Sequence, residues 1–166
     1  MSNQYHTITL LSQSPEDTIE IGRILGTSLH EGDVVLLDGE LGCGKTCITQ
    51  GLILGMGSDD FARSPTFVIV AEYKGKFPIY HMDLYRLDNL SIHDDHSLDE
   101  LIYGEGVSII EWPGRSKDLF PDESILIEFK RLDEYSRVLK ISASQISEYE
   151  NLGEYVAPAN LQDRVG

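Results

Sequence analysis

A glycine-rich segment that ends in lysine and threonine is the part of this chain best suited to chemistry. Residues 39–46 read Gly-Glu-Leu-Gly-Cys-Gly-Lys-Thr, the pattern GxxxxGK followed by serine or threonine. The segment follows the apolar run Val34–Leu37 and precedes a sequence compatible with a helix, which is the order of strand, loop and helix that phosphate binding requires. We therefore predict that it binds the phosphates of a nucleotide.

The residue types of this loop match the needs of a triphosphate. Glycines let backbone N–H groups surround dense negative charge, because they take positive φ and leave room for the ligand. A helix that starts near Lys45 adds its first-turn N–H groups and the positive end of its dipole. Lys45 is predicted to reach the β- and γ-phosphates, and the Thr46 hydroxyl to bind Mg²⁺. The predicted nucleotide-binding residues are Gly39, Glu40, Leu41, Gly42, Cys43, Gly44, Lys45, Thr46 and Cys47.

Two acids close later apolar strands and are candidates for the metal. Mg²⁺ keeps several waters, which a fixed carboxylate at the tip of a neighbouring strand must orient. Asp83 closes the run Ile79–Met82, and Glu111 closes Val107–Ile110. Both strands could end at the same sheet edge as Asp38, which would bring both acids toward the phosphates. Either acid alone could equally be a surface residue at a strand end, but jointly they favour a site.

Three further features allow two interpretations each. Ser64-Pro65-Thr66 lies where nucleotide switches place a hydroxyl that senses the γ-phosphate, although Pro65 could simply end a loop. Cys43 and Cys47 could be sensitive to oxidants, since a helix N-terminus lowers the pKa of a thiol, but small side chains that merely fit are preferred. The segment His93–His96 could bind a metal, but a solvated loop is preferred because no cysteine or further histidine accompanies it.

Composition bounds the class of protein. The 166 residues, of which 41% are hydrophobic, can enclose one sizeable core. There are 28 acidic and 13 basic residues, a formal net charge of −15, so the molecule repels nucleic acid and any role in RNA metabolism must go through a partner. Neither a leader segment nor a membrane span is visible, and we expect a cytoplasmic protein.

The pattern of apolar residues predicts an α/β domain over residues 1–145 and a polar, acidic tail over 146–166. We expect the tail to bury little and to be mobile or to contact a partner. Strands interleave with helices early and follow one another later, which favours a mixed central sheet flanked by helices. The predicted strands are Tyr5–Leu11, Asp33–Asp38, Thr66–Tyr73, Phe77–Asp83, Val107–Glu111, Ser124–Lys130 and Arg137–Ser142. The predicted helices follow Ser14-Pro15 and cover Thr46–Met56 and about Ser97–Leu101.

Four short blocks of the chain together resemble the signature of one family. They are residues 39–46, Ser64–Phe67, His81–Leu87 and Ile110–Pro113. Their order and spacing resemble the bacterial TsaE family, formerly called YjeE, a subunit of the machinery that makes threonylcarbamoyladenosine beside the anticodon of tRNA. The SPTF, DLYRL and EWP blocks are specific to that family, whereas the glycine-rich loop is generic.

The resemblance implies a small P-loop ATPase of mixed α/β architecture that binds ATP and Mg²⁺. It implies two partners, the threonylcarbamoyl-transferring subunit (TsaD-like) and its paralogue (TsaB-like), whose complex ATP hydrolysis would reset for repeated turnover. By motif, Lys45 and Thr46 would bind phosphate and Mg²⁺. Asp83 and Glu111 would act at the metal and the attacking water, and which of the two orients the water stays open.

The resemblance also covers positions outside the phosphate loop and the two acids. Thr66 would belong to a switch-like catalytic segment, and Trp112 would lie beside the nucleotide pocket. Gly114 and the stretch Ser91–Ser97 depart from the usual family pattern, which puts local conformation and partner contacts in question. Arg137 matches an arginine often found in the penultimate strand, and the sequence assigns it no role.

Two other functions remain open at the level of sequence. A small-molecule kinase also uses a phosphate loop, but it needs an arginine-bearing lid, and no arginine cluster occurs here. The other is a nucleotide-gated interaction module with incidental hydrolysis, and this hypothesis partly overlaps the function that the family resemblance implies. A GTPase is disfavoured because the chain lacks an Asn-Lys-x-Asp segment.

Overall fold

A mixed sheet of seven strands organises the computed structural model, which describes residues 5–63, 70–84, 96–111, 120–144 and 149–164. The strands are β1 (His6–Ser12), β2 (Val34–Asp38), β3 (Val70–Lys74), β4 (Pro78–Asp83), β5 (Val107–Glu111), β6 (Ile125–Arg131) and β7 (Arg137–Ala143). The helices are α1 (Pro15–Thr27), α2 (Lys45–Gly55), α3 (His96–Tyr103) and α4 (Ala159–Gln162), with a 3₁₀ helix at Tyr149–Tyr155. The predicted mixed α/β architecture is confirmed.

The order of the strands decides which residues meet at one edge of the sheet. The order is β1-β7-β6-β2-β5-β4-β3. Strands β4, β5, β2 and β6 are parallel to one another, β3 and β7 are antiparallel to β4 and β6 respectively, and β1 is antiparallel to β7. The carboxyl ends of β2, β4, β5 and β6 therefore share one edge, and the amino end of the antiparallel β7 comes to that same edge.

The central strands are buried on both faces, which explains their continuous apolar sequences. In β5, Ile109 packs with the core between the sheet and helices α1 and α2, whereas Ile110 packs with the core beneath α3. The adjacent strand β2 alternates in the same way, with Val35 on the first side and Leu36 on the second.

Helix α1 begins as its sequence predicts. The Ser14 hydroxyl accepts a hydrogen bond of 3.1 Å from the Asp17 backbone N–H, and Pro15 occupies the first turn, where its missing N–H costs nothing. The helix runs for 13 residues.

Helices α1 and α2 touch backbone to backbone through four glycines. Gly22 and Gly26 of α1 face Gly51 and Gly55 of α2, and a Cβ atom on Gly51 would lie 2.0 Å from the Ile19 carbonyl oxygen. A Cβ atom on Gly55 would lie 2.2 Å from the carbonyl oxygen of Arg23. Since any side chain at these positions would push the helices apart, α1 fixes the position of α2.

The carboxyl-terminal segment corrects the expectation that the tail buries little. Leu152 of the 3₁₀ helix is fully buried in the core beside α1, and Ala157 is 2% exposed. The Ala157 N–H donates to the Thr9 carbonyl, and Val156 forms a bridge with Leu10 of the edge strand β1. A few apolar residues thus dock a segment whose average composition is polar.

The remaining sequence-based boundaries agree with the structure within a few residues where the structure describes them. The antiparallel hairpin of β3 and β4 is present, but its predicted first residues, 66–69, lie outside the described residues. The short helix predicted at Ser97–Leu101 extends over His96–Tyr103.

We expect Gly51→Ala to lower the free energy of unfolding by about 3 kcal/mol, because overpacking at a backbone contact outweighs the helix propensity of alanine, which alone would add about 1 kcal/mol. The matched control is Gly153→Ala, where a Cβ atom would meet nothing within 4 Å. Urea denaturation of both variants measures the difference. A Gly51→Ala protein as stable as the parent would contradict the glycine-mediated contact.

Candidate nucleotide-binding site

The glycine-rich loop connects the end of β2 to the start of α2, as predicted. Gly42 and Gly44 have φ values of 77° and 116°, conformations that L side chains rarely adopt. Gly44 caps α2 and makes no side-chain hydrogen bond to the helix, so the first-turn N–H groups of α2 are not satisfied by a cap. Positive φ at two glycines and an uncapped helix start are features of loops that bind phosphate groups.

Lys45 and Thr46 occupy the positions that the motif assigns to them. The Lys45 Nζ atom donates a hydrogen bond of 2.7 Å to the Gly39 carbonyl, so the lysine side chain folds back across the loop. Thr46 is exposed in the first turn of α2. The ammonium group is therefore positioned over the loop, and the threonine side chain is accessible from solvent.

Both predicted acids lie at the sheet edge from which the loop departs. Asp83 and Glu111 are register partners in the parallel pair of β4 and β5, and Glu111 also pairs with Leu37 of β2. Glu111 is 8% exposed and Asp83 is half-buried. The prediction that these acids share the edge with Asp38 is confirmed.

His81 is a candidate site residue that was not predicted from the sequence. Its side chain is fully buried, and its Nε2 atom lies 3.0 Å from the Glu111 Oε1 atom. His81 Nδ1 has no hydrogen-bond partner among the described residues. The signal in the sequence is the spacing of two in His81-Met82-Asp83, which puts His81 and Asp83 on the same face of β4. The histidine holds one oxygen of the Glu111 carboxylate in place.

Arg137 contacts the glycine-rich loop from strand β7. It opens β7 at the same sheet edge, is 5% exposed, and donates a hydrogen bond of 2.7 Å from Nη1 to the Cys43 carbonyl. A Cβ atom on Gly44 would lie 2.5 Å from Arg137 Nη1, so the guanidinium occupies the space that the glycine leaves. Position 44 therefore favours glycine for two reasons, which are its positive φ and the space that the arginine occupies.

Cys43 is a packed side chain, in keeping with the preferred interpretation that a small side chain fits the loop. It is 2% exposed, and burial raises the pKa of its thiol, more than the nearby Lys45 charge lowers it. A Cβ atom on Gly39 would lie 2.6 Å from the Cys43 Sγ atom, which shows how closely the thiol fits the loop. Cys47 is half-buried in the first turn of α2.

Helix α2 also holds the segment that follows it. The Gln50 side chain donates to the Asp60 carbonyl at 3.1 Å and accepts from the Ala62 N–H at 2.8 Å. The Tyr73 hydroxyl accepts from the Arg63 N–H at 3.0 Å, and its ring stacks on His81. The chain is thus tied to α2 and β3 just before residue 64.

Several predicted positions lie outside the described residues. They are Thr66 with its neighbours Ser64 and Pro65, Trp112, Gly114, and His93, Asp94 and Asp95.

The donor set at this edge fits a magnesium–phosphate ligand. Mg²⁺ is commonly held by one or two carboxylates together with phosphate oxygens and waters, without a cage of protein ligands. The described ranges contain no group of three or more His, Cys, Asp or Glu residues arranged to hold a metal. Thr46, Asp83 and Glu111 could provide the protein oxygens.

We expect His81→Leu to lower the free energy of unfolding by about 1–3 kcal/mol, because the buried Glu111 carboxylate would lose its hydrogen-bond partner. His30→Leu is the matched control, since the His30 side chain is 83% exposed. Chemical denaturation of the two variants and the parent measures the effect. Equal losses in both variants would contradict a specific role for the His81–Glu111 contact.

The comparisons with known proteins agree with this geometry. The family model described as "Threonylcarbamoyl adenosine biosynthesis protein TsaE" matches residues 12–139. A relative from Treponema pallidum, named tRNA threonylcarbamoyladenosine biosynthesis protein TsaE, is 39% identical over 132 residues, which is 80% of this chain and 98% of the relative. A relative of the same name from Bacillus subtilis is 38% identical over 131 residues, 78% of this chain and 82% of the relative.

The fold is also similar to a solved structure. The crystal structure of YdiB from Bacillus subtilis matches with a TM-score of 0.71 and 32% sequence identity, over 91% of this chain and 94% of that one.

Among the helices that the structure describes, none has the length and apolar character needed to cross a membrane.

Proposed function

The chain belongs to the TsaE family of threonylcarbamoyl adenosine biosynthesis proteins, and we propose that it is the ATP-binding and ATP-hydrolysing subunit of the complex that installs threonylcarbamoyl on the adenosine next to the tRNA anticodon. One observation carries the proposal. The loop between β2 and α2 and the paired acids Asp83 and Glu111 occupy the same edge of the sheet.

Binding would begin at the loop and Lys45. Gly42 and Gly44 have no side chains and take positive φ, so the backbone there can approach the phosphates closely. The Lys45 ammonium donates to the Gly39 carbonyl, a neutral acceptor, and a phosphate oxygen would be a stronger partner because it carries the opposite charge. Since the ammonium has three N–H donors, Lys45 would take the β- and γ-phosphates of ATP as further or replacement partners.

Thr46, Asp83 and Glu111 would hold Mg²⁺, whose chemistry is to neutralise the charge that develops on the phosphates. The exposed position of Thr46 leaves its hydroxyl accessible. Asp83 and Glu111, one beside the other across β4 and β5, would bind and orient the metal's waters.

For hydrolysis, we assign the orientation of the attacking water to Glu111. Its Oε1 atom is fixed by His81, and its burial keeps it from sampling many orientations. A carboxylate that is already oriented requires little rearrangement at the moment of reaction. Thr66, as part of a switch segment that senses the γ-phosphate, and Trp112, beside the nucleotide pocket, complete the proposed site.

The charge of the chain argues for partners that handle the tRNA. With a formal net charge of −15, the chain repels a polyanion. We propose that it docks on a TsaD-like transferase subunit and its TsaB-like paralogue in the cytoplasm, and that ATP hydrolysis resets their complex between turnovers. A kinase would instead move phosphate onto a metabolite.

A reconstituted, multiple-turnover tRNA modification assay with the two partner subunits tests this proposal. We expect turnover to require the chain, and Glu111→Gln to lower ATP hydrolysis by about 100-fold or more, in line with the loss of a group that acts on the attacking water. Glu105→Gln, at an exposed turn, is the matched control and should behave like the parent.

Two results would contradict the proposal. One is unchanged multiple-turnover modification when the chain is omitted. The other is ATP hydrolysis by the Glu111→Gln variant at the parent rate.

A further inference from the structure

We propose that Arg137 is a positioning residue for the nucleotide phosphates, which both orients a peptide group of the phosphate loop and supplies a buried positive charge beneath it. The inference rests on the proposed function and extends it to a strand that is remote in sequence. Arg137 lies 94 residues from the loop residue that it contacts.

The topology brings Arg137 to the loop. Strand β7 runs antiparallel to β6, and Arg137, its first residue, is paired with Arg131, the last residue of β6. Since β6 is parallel to β2, this pair lies at the edge where β2 runs into the loop. The side chain of Arg137 is buried there, whereas Arg131 is exposed.

The contact with Cys43 constrains the orientation of one peptide. A trans peptide group is planar, so the carbonyl of Cys43 and the N–H of Gly44 point in opposite directions. The guanidinium pins the carbonyl by a hydrogen bond of 2.7 Å. The Gly44 N–H must then point away from the arginine. We infer that Arg137 keeps this N–H aimed at the side of the loop that receives phosphate.

The charge of Arg137 is not neutralised within the described part of the chain. None of the ion pairs among those residues includes it, and its Nε atom is buried without a hydrogen-bond partner. A buried cation is costly unless an opposite charge compensates it. The polyphosphate of a nucleotide in the loop would supply that charge, at short range and through a medium that screens poorly.

A purely structural role makes a different prediction from a positioning role. An arginine that only ties β7 to the loop would affect the stability of the free protein. An arginine that orients the loop and attracts phosphate would affect nucleotide affinity in the folded protein.

Isothermal titration calorimetry with Mg²⁺–ATP tests the inference, with urea denaturation of each nucleotide-free variant alongside. We expect Arg137→Met to raise Kd by about 10- to 100-fold, the equivalent of one charge-assisted hydrogen bond. Arg137→Lys keeps the charge but loses the fork geometry, and we expect about a tenfold increase in Kd. Arg131→Met is the matched control on the paired strand and should bind like the parent.

The parent and Lys45→Ala separate this inference from the proposed function. If the parent does not bind Mg²⁺–ATP, the proposed function and this inference both fail. If the parent binds, Lys45→Ala binds weakly, and Arg137→Met binds as the parent does while losing stability, only this inference is overturned. Should Arg137→Met not fold, Arg137→Lys decides, and a Kd equal to that of the parent overturns the inference.

Discussion

The proposed site depends on one constraint, which is that the loop between β2 and α2 must keep its backbone N–H groups turned toward the phosphates. Two glycines with positive φ give the loop its shape. The helix behind it cannot shift, because Gly51 and Gly55 leave no space between α2 and α1. A site made of backbone dipoles is only as good as the rigidity of the elements that carry it, and here the rigidity comes from contact between two helix backbones.

A mixed sheet allows charged side chains from distant parts of the sequence to surround that loop. Parallel strands bring Asp83 and Glu111 to the edge as their final residues, and the antiparallel β7 brings Arg137 there as its first residue. The acids would serve the metal and the water, and the arginine the phosphates. The hydrogen bond between His81 and Glu111 fixes the Glu111 carboxylate, and the hydrogen bond from Arg137 fixes the Cys43 carbonyl.

The features predicted from the sequence are those that depend on neighbouring residues. The loop, its flanking strand and helix, and the cap at Ser14 are local patterns, and the two acids follow because parallel strands end at a common edge. The contacts of His81 and Arg137 are with residues 30 and 94 positions away, and a local pattern does not reveal such contacts. The docked tail was missed because average polarity conceals single apolar residues such as Leu152.

The most direct test of the central claim is a crystal structure of the protein with Mg²⁺ and a non-hydrolysable ATP analogue. We expect the Lys45 ammonium to contact the β- and γ-phosphates, with the Thr46 hydroxyl and at least one of Asp83 and Glu111 in the metal's coordination sphere. An analogue bound elsewhere, or a Lys45 ammonium that makes no contact with the phosphates of a bound analogue, would contradict the account.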